Sequence, residues 1–246
     1  MDSYIYDVHI HTSETSSCGK VDAKTVVRVY KEAGYHGLVI TDHYTRGYFE
    51  SLRYNQWEDK VNQYLRGYHS ALAEGRKLGL NVLLGMELRF DENESDYLIY
   101  GIDEDFLFRH RELYTLNIEK FSGMINGTTI QIYQAHPFRL TSVPANPAYL
   151  HGIEVYNGNP RQISNNSKAF EYAKKNGLKM ISGSDFHLLS DLARGGIILS
   201  DTPPDSVEFA QILKNDNMIK FVIGKDEIED FTETPFCHLS EKAEWI

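Results

Sequence analysis

The chain has 246 residues, of which 41% are hydrophobic and 24% charged, the proportions of an ordinary folded protein. That balance excludes wholesale disorder, a collagen-like repeat and a coiled-coil rod, and no stretch reaches the roughly 18 apolar residues of a membrane span. Lys and Arg total 25 against 35 Asp and Glu, a net charge of −10, so no membrane partner and no long nucleic acid is expected.

In chain order, Tyr4 to Ile10 reads as a strand and Val21 to Ala33 as a helix. Ala23, Val26, Val27, Tyr30 and Ala33 fall on one face of that helix, and Gly34 is placed to stop it. A short buried strand, Gly37 to Ile40, is followed by a long helical segment, Asn55 to Leu78, ending near Gly79. Strands follow at Asn81 to Leu84 and Asp96 to Gly101, then a helix over Glu104 to Phe121. Thr129 to Ala135 and Gly152 to Val155 read as strands, Ser164 to Asn176 as a helix closed by Gly177. The last elements are strands at Lys179 to Ile181 and Gly196 to Leu199, a helix over Ser206 to Asn215 and a strand at Lys220 to Ile223. This alternation predicts a parallel sheet or barrel. No linker rich in Pro, Gly or Ser divides it, so residues 1–246 are expected to form one domain, with an ambiguous tail over 224–246.

The start MDSYIYDVHIH lacks the basic opening and apolar core of a secretory signal. Two cysteines, Cys18 and Cys237, cannot make a disulfide framework, so the expected compartment is the cytoplasm.

Five of the ten histidines sit at or just past predicted strand ends: His9, His11, His43, His136 and His187. Glu87 lies just past NVLLG, and Asp185 stands two residues before His187. In a parallel barrel all strand C-termini open on one face, so residues spread over 180 positions can meet there. His9 and His11 share one side of a strand because side chains alternate with period two. Asp185 and His187 do likewise if their backbone is extended. Imidazole and carboxylate together suit Zn, Mn or Fe, and Glu87 could bridge two ions. Single histidines near strand ends are individually unremarkable, but five such coincidences with matching acids favour a metal centre. His36, His69, His110, His151 and His238 have no such context and are expected at surface or helix positions.

The ordered pieces DVHIHT (7–12), TDH (41–43), GMEL with Glu87, AHP (135–137), GIEVYN (152–157) and GSDFH (183–187) resemble the PHP family, named for its polymerase and histidinol-phosphatase members. The resemblance runs from residue 7 to about 200. It implies a distorted (β/α)7 TIM-like barrel of the α/β class, with two or three divalent ions at the strand C-termini. On that resemblance His9, His11, Glu87 and Asp185 hold the first ion, Glu87 and His136 the second, and His43 and His187 belong to the third. Two places depart from the family pattern. The stretch TSETSSCG lacks the usual histidine, leaving Glu14 as the preferred ligand and Cys18 as the alternative. Asp96 stands where another histidine is usual, either as a ligand or simply as the start of a strand.

A cluster of this kind suits hydrolysis of a small phosphorylated metabolite or nucleotide by metal-activated water. Asp185 or His187 could move the proton. Arg139, Arg161 and Arg194 each follow a motif strand and are candidates to clamp phosphate, with Asn157 touching substrate or orienting a loop. Glu154 is expected to support the barrel end or a ligand histidine. The aromatic segment from Tyr44 to Trp57 is either a lid and stacking surface or a plain hydrophobic cover. Other readings are a histidinol-phosphate phosphatase, a non-catalytic metal-binding module, and hydrolysis of a C–N bond.

Overall fold

The computed structural model describes residues 3–216 and 219–224; Cys237, His238 and the tail beyond residue 224 lie outside the described residues. The elements in order are β1 (Tyr4–Ile10), α1 (Ala23–Glu32), β2 (Gly37–Ile40), β3 (His43–Tyr44), α2 (Arg46–Ser51), α3 (Trp57–Tyr64), α4 (Arg66–Leu78), β4 (Asn81–Arg89), β5 (Asp96–Tyr100), α5 (Glu104–Arg109), α6 (Ile118–Ile125), β6 (Gln131–Gln134), β7 (Gly152–Asn157), α7 (Asn166–Asn176), β8 (Lys179–Gly183), β9 (Gly195–Leu199), α8 (Ser206–Asn215) and β10 (Lys220–Ile223).

Two expected helices are broken. The segment 55–78 divides at Leu65, whose ψ of −3° turns the chain between α3 and α4. The turn lets the Tyr64 hydroxyl donate to the Asp42 carbonyl at 2.7 Å. The segment 104–121 divides at Glu112, which has a φ of 51°, and restarts where the Asn117 side chain accepts from Lys120 N–H. Local capping wins there over helical periodicity. Gly79, at φ 65°, ends α4 as the sequence suggests.

The strands lie in the order β10-β9-β1-β2-β4-β5-β6-β7-β8, with β3 on β4. The sheet is mixed, not all parallel. β1–β2, β2–β4, β6–β7 and β7–β8 are parallel, whereas β4–β5, β5–β6, β1–β9 and β9–β10 are antiparallel. A short turn after Arg89 returns the chain directly into β5, pairing Arg89 with Asp96. The start of β5 therefore lies beside the end of β4. The start of β9 likewise reaches the end where β1 finishes.

The sheet curls into a nearly closed, TIM-like barrel. At the seam, His11 N–H donates to Phe186 O at 3.0 Å and Phe186 N–H to His9 O at 3.1 Å. Gly183 makes this approach feasible, because a Cβ there would lie 2.5 Å from His9 Cβ. One apolar cluster draws Val8, Val39, Leu83, Tyr100, Ile153 and Ile181 from six strands onto Phe209 of α8. A second gathers Tyr44, Phe49, Trp57 and Tyr64 against β4 and β5. Three aromatics of the segment 44–57, Tyr44, Phe49 and Trp57, are buried in this core, with Phe49 stacked on Trp57 at 5.1 Å and the indole N–H donating to Leu107 O, while residues such as Arg53 and Tyr54 between them are exposed. The buried aromatics of this segment serve as hydrophobic cover.

Candidate metal centre

Every acid and imidazole expected at the strand ends, apart from Glu14, arrives at one mouth. His9 Nε2 lies 3.2 Å from Glu87 Oε1 and 3.4 Å from Asp185 Oδ1. His11 Nε2 lies 3.3 Å from Glu87 Oε2 and 3.3 Å from Asp185 Oδ1. His43 Nδ1 stands 2.7 Å from Glu87 Oε2, and His136 Nε2 stands 3.1 Å from Glu87 Oε1. Glu87 is therefore the hub. β4 runs past the expected Leu84 to Arg89, which carries Glu87 to the mouth on regular strand geometry.

Four overlapping triplets place their ligand atoms within 4.8 Å of one another: His9/His11/Glu87, His9/His136/Asp185, His43/Glu87/Asp96 and His11/His43/His187. Backbone strain accompanies two of these residues, since His136 has a φ of 27° and Asp185 a φ of 52°. Asp185-x-His187 is accordingly not extended. Both side chains still meet, with His187 Nδ1 3.4 Å from Asp185 Oδ1 and 2.8 Å from the Asp185 backbone carbonyl.

Supporting contacts set which nitrogen of each ring faces inward. Glu154 Oε1 accepts from His9 Nδ1 at 2.8 Å, so His9 presents Nε2 to the centre. Ser16 Oγ donates to Asp42 at 2.7 Å and so accepts from His11 Nδ1 at 3.3 Å, which directs His11 Nε2 inward. Asp7 accepts from Tyr30 Oη, Ser184 N–H and His9 N–H, tying β1 to the chain after β8. Asp7, Ser16 and Asp42 were assigned no role from sequence. Their signal was available in the charged residue preceding HxH and in TDH, because a buried carboxylate beside ligands is costly unless bonded.

Burial pushes the Asp7 and Asp42 carboxyls up to about 6. Burial also works against the charged forms of Glu87 and Asp185, but the surrounding imidazoles outweigh it and hold both well below the usual carboxylate range. For His9 burial opposes the proton, yet Glu154, Asp185 and Glu87 together raise it well above an ordinary imidazole. His11 moves the other way, lowered by burial and by the charges of His187 and His43.

Glu14 does not join the centre. Both its carboxylate oxygens accept from Ala23 N–H, at 3.1 and 3.0 Å, so it caps α1. Cys18, the alternative, is a free and exposed cysteine. Asp96 both begins β5 and faces the centre, 3.9 Å from His136 Nε2, while Arg89 grips its two oxygens at 2.7 Å each. Two of the arginines are engaged with carboxylates. Arg139 donates to Asp185 Oδ2 at 2.6 Å and to Asn157 Oδ1 at 3.2 Å. Arg161 makes a two-pronged pair with buried Asp191, which also accepts from His187 N–H and Leu188 N–H. Arg194 Nε donates to Gly158 O at the start of β9. Asn157 Nδ2 donates to Glu154, so it orients the ring-holding acid.

The fit to a cation can be judged from these residues. His9 Nε2, His11 Nε2, His43 Nδ1 and Glu87 Oε2 are buried, converge on one volume and make no hydrogen bond. Buried polar atoms are ordinarily satisfied, so a set of nitrogen and oxygen donors left open together fits divalent metal.

This is a TIM-like barrel with a buried imidazole–carboxylate cluster at the strand mouth, a donor set that fits divalent metal. The sequence profile of the PHP domain matches residues 7–236, and the chain belongs to the PHP domain family. Its fold is similar to that of PsfC from Pseudomonas syringae PB-5123, with a TM-score of 0.64 at 16% identity over 92% of this chain and 93% of that one. It is also similar to a two-domain protein of Bacteroides vulgatus ATCC 8482 described as containing a predicted PHP-like metal-dependent phosphoesterase (TM-score 0.59, 16% identity, 87% of this chain and 63% of that one). A third likeness is to an amidohydrolase from Chromobacterium violaceum with bound sulfate and no metal (TM-score 0.51, 18% identity, 81% and 92%). In sequence, an uncharacterised protein of Methanocaldococcus jannaschii is 36% identical over 80 residues, which span 29% of this chain and 34% of that relative. No helix among the described residues is long and apolar enough to cross a membrane.

Proposed function

We propose that this protein is a cytoplasmic phosphoesterase that hydrolyses a small phosphorylated metabolite or nucleotide at a centre of two or three Mn, Fe or Zn ions. The observation that carries the reading is the set of buried, unbonded donors on His9, His11, His43 and Glu87. His9, His11, Glu87 and Asp185 would hold the first ion, Glu87, His136 and Asp96 the second, and His43 and His187 the third. Divalent ions bound there would supply Lewis acidity, lowering the pKa of bound water to about 7 and neutralising phosphoryl charge.

The chain's own residues do the rest. Glu154 and Ser16 hold the rings of His9 and His11 in register. Arg139 braces Asp185, so its carboxylate keeps one orientation while it takes up a proton. Arg161, through Asp191, shapes the loop that carries His187. Arg194, whose Nε donates to Gly158 O just before β9, is the remaining arginine proposed to bind the phosphate. The loops after β6, β7 and β8 expose apolar side chains, Leu140 and Val143 in the first, Ile163 in the second and Leu189 in the third, which supports a substrate with an organic body beyond its phosphate.

The test is turnover of a panel of phosphate mono- and diesters by metal-loaded protein, beside the D185N variant. Hydrolysis that a chelator abolishes, and that D185N lowers about 100-fold or more with its circular dichroism unchanged, is expected. Tight metal binding without turnover would instead mark a non-catalytic module. Turnover restricted to amides would transfer the site to C–N hydrolysis, and rescue of a histidine auxotroph would single out histidinol phosphate.

A further inference from the structure

We infer that Arg89 is a resident cation that competes with the second ion for Asp96, so that the centre fills its first position before its second. The inference rests on the metal-centre reading above and deepens it, by giving Arg89 a part in setting ion affinity.

Strand geometry places the guanidinium. Arg89 stands two residues after Glu87 on β4, so period-two alternation puts both side chains on one side of the strand. The antiparallel register sets Arg89 directly opposite Asp96 on β5, as it sets Glu87 opposite Leu98. Arg89 Nε donates to Asp96 Oδ1 and Nη2 donates to Asp96 Oδ2, each at 2.7 Å. Ala135 N–H donates to the Asp96 carbonyl at 3.0 Å, which fixes the start of β5 beside the residue preceding His136. Asp96 Oδ2 lies 3.9 Å from His136 Nε2. One carboxylate is thereby shared between a guanidinium on one side and the second position on the other.

The contrast with Asp185 shows what this sharing does. Arg139 takes Oδ2 of Asp185 and leaves Oδ1 toward His9 and His11, at 3.4 and 3.3 Å. Arg89 takes both oxygens of Asp96. The Asp96 side chain is only 4% exposed, so its charge needs a partner, and Arg89 is that partner when no ion is bound. An ion entering the second position must share or displace the fork and meets the repulsion of a fixed positive charge. Glu94 Oε2, which accepts from Arg89 Nη1 at 2.8 Å, gives the displaced guanidinium a partner at the exposed edge.

The experiment titrates the chelator-stripped full chain with Mn2+ alone and reads free Mn2+ by electron paramagnetic resonance. Wild type is expected to show a tight and a weaker class of sites. R89Q keeps an amide donor for Asp96 and removes the charge. It should tighten the weaker class about tenfold and leave the tight class within about twofold, with circular dichroism unchanged. D96N should lose the weaker class, and R89Q added to it should recover nothing. R89K keeps the charge without the fork and serves where R89Q does not fold; a gain of about threefold in the weaker class is expected of it. A single class of sites in wild type, a weaker class that the Arg89 variant leaves unchanged or loosens, an equal gain in both classes, or a gain that persists beside D96N overturns the inference while leaving the metal centre standing. Absence of any Mn2+ binding by wild type overturns both.

Discussion

Glu154 spans from β7 to β1 and holds His9: its Oε1 accepts from His9 Nδ1 at 2.8 Å, while its Oε2 accepts from His136 N–H at 2.9 Å. One carboxylate thus orients the His9 ring and the His136 backbone, the proposed ligands of the first and second positions. E154Q keeps the shape and removes the charge. Metal affinity at these positions is expected to fall about 10–100-fold, measured by competition with a chromophoric chelator. An unchanged affinity would reduce Glu154 to barrel packing.

The raised proton affinity of His9 gives metal uptake a pH dependence. Three carboxylates keep His9 protonated at neutral pH in the metal-free chain, against the effect of burial. An ion taking His9 Nε2 must displace that proton, so affinity rises with pH up to the folded pKa of His9. The same shift stabilises the metal-free fold below an ordinary imidazole pKa, and that stability is lost as pH rises through the elevated value. Calorimetry in buffers of different ionisation enthalpy should show about one proton released on filling this position. A heat independent of buffer would contradict it.

Metal should also stabilise the fold, because Glu87 and Asp185 are fully buried carboxylates whose neutralisation now rests on imidazoles and one arginine. Binding at about 100 times Kd contributes roughly 2.7 kcal/mol per ion. For a chain of this size that is a Tm rise on the order of 5–10 °C, checked by scanning calorimetry with and without chelator.

Gly183→Ala tests the barrel seam. The new Cβ would lie 2.5 Å from His9 Cβ and 2.8 Å from Glu154 Oε1, so β1 or β8 must shift. A loss of about 1–3 kcal/mol is expected in urea unfolding, together with reduced metal content. Normal metal content in the variant would show that closure and ligand geometry are independent.

Trp57→Ala tests whether the aromatic segment serves the core. Trp57 is buried, stacks on Phe49 and donates to Leu107 O. Its truncation should lower stability by about 3–5 kcal/mol while metal content per folded molecule stays the same. Little change in stability with a raised KM would restore the lid.

The histidine pattern was legible because strand ends and period-two alternation are local properties, and those alone brought His9, His11, His43, Glu87, His136, Asp185 and His187 into one set. The antiparallel course of β5 was not legible. Alternating strands and helices look alike whichever way a strand is threaded, and only the Arg89–Asp96 pairing shows that Asp96 begins its strand at the mouth. The helix breaks at Leu65 and Glu112 were hidden for a related reason, since the turns answer to partners such as the Asp42 carbonyl far along the chain.

The amino-acid sequence by itself determined which donor types this protein possesses, their order and most of the elements that carry them, because residue identity and periodicity are written along the chain. The tertiary structure alone decided how each side chain is used. Glu14 caps a helix, and Arg139 and Arg161 hold carboxylates, because a hydrogen bond is settled by distances of about 3 Å that sequence separation does not encode.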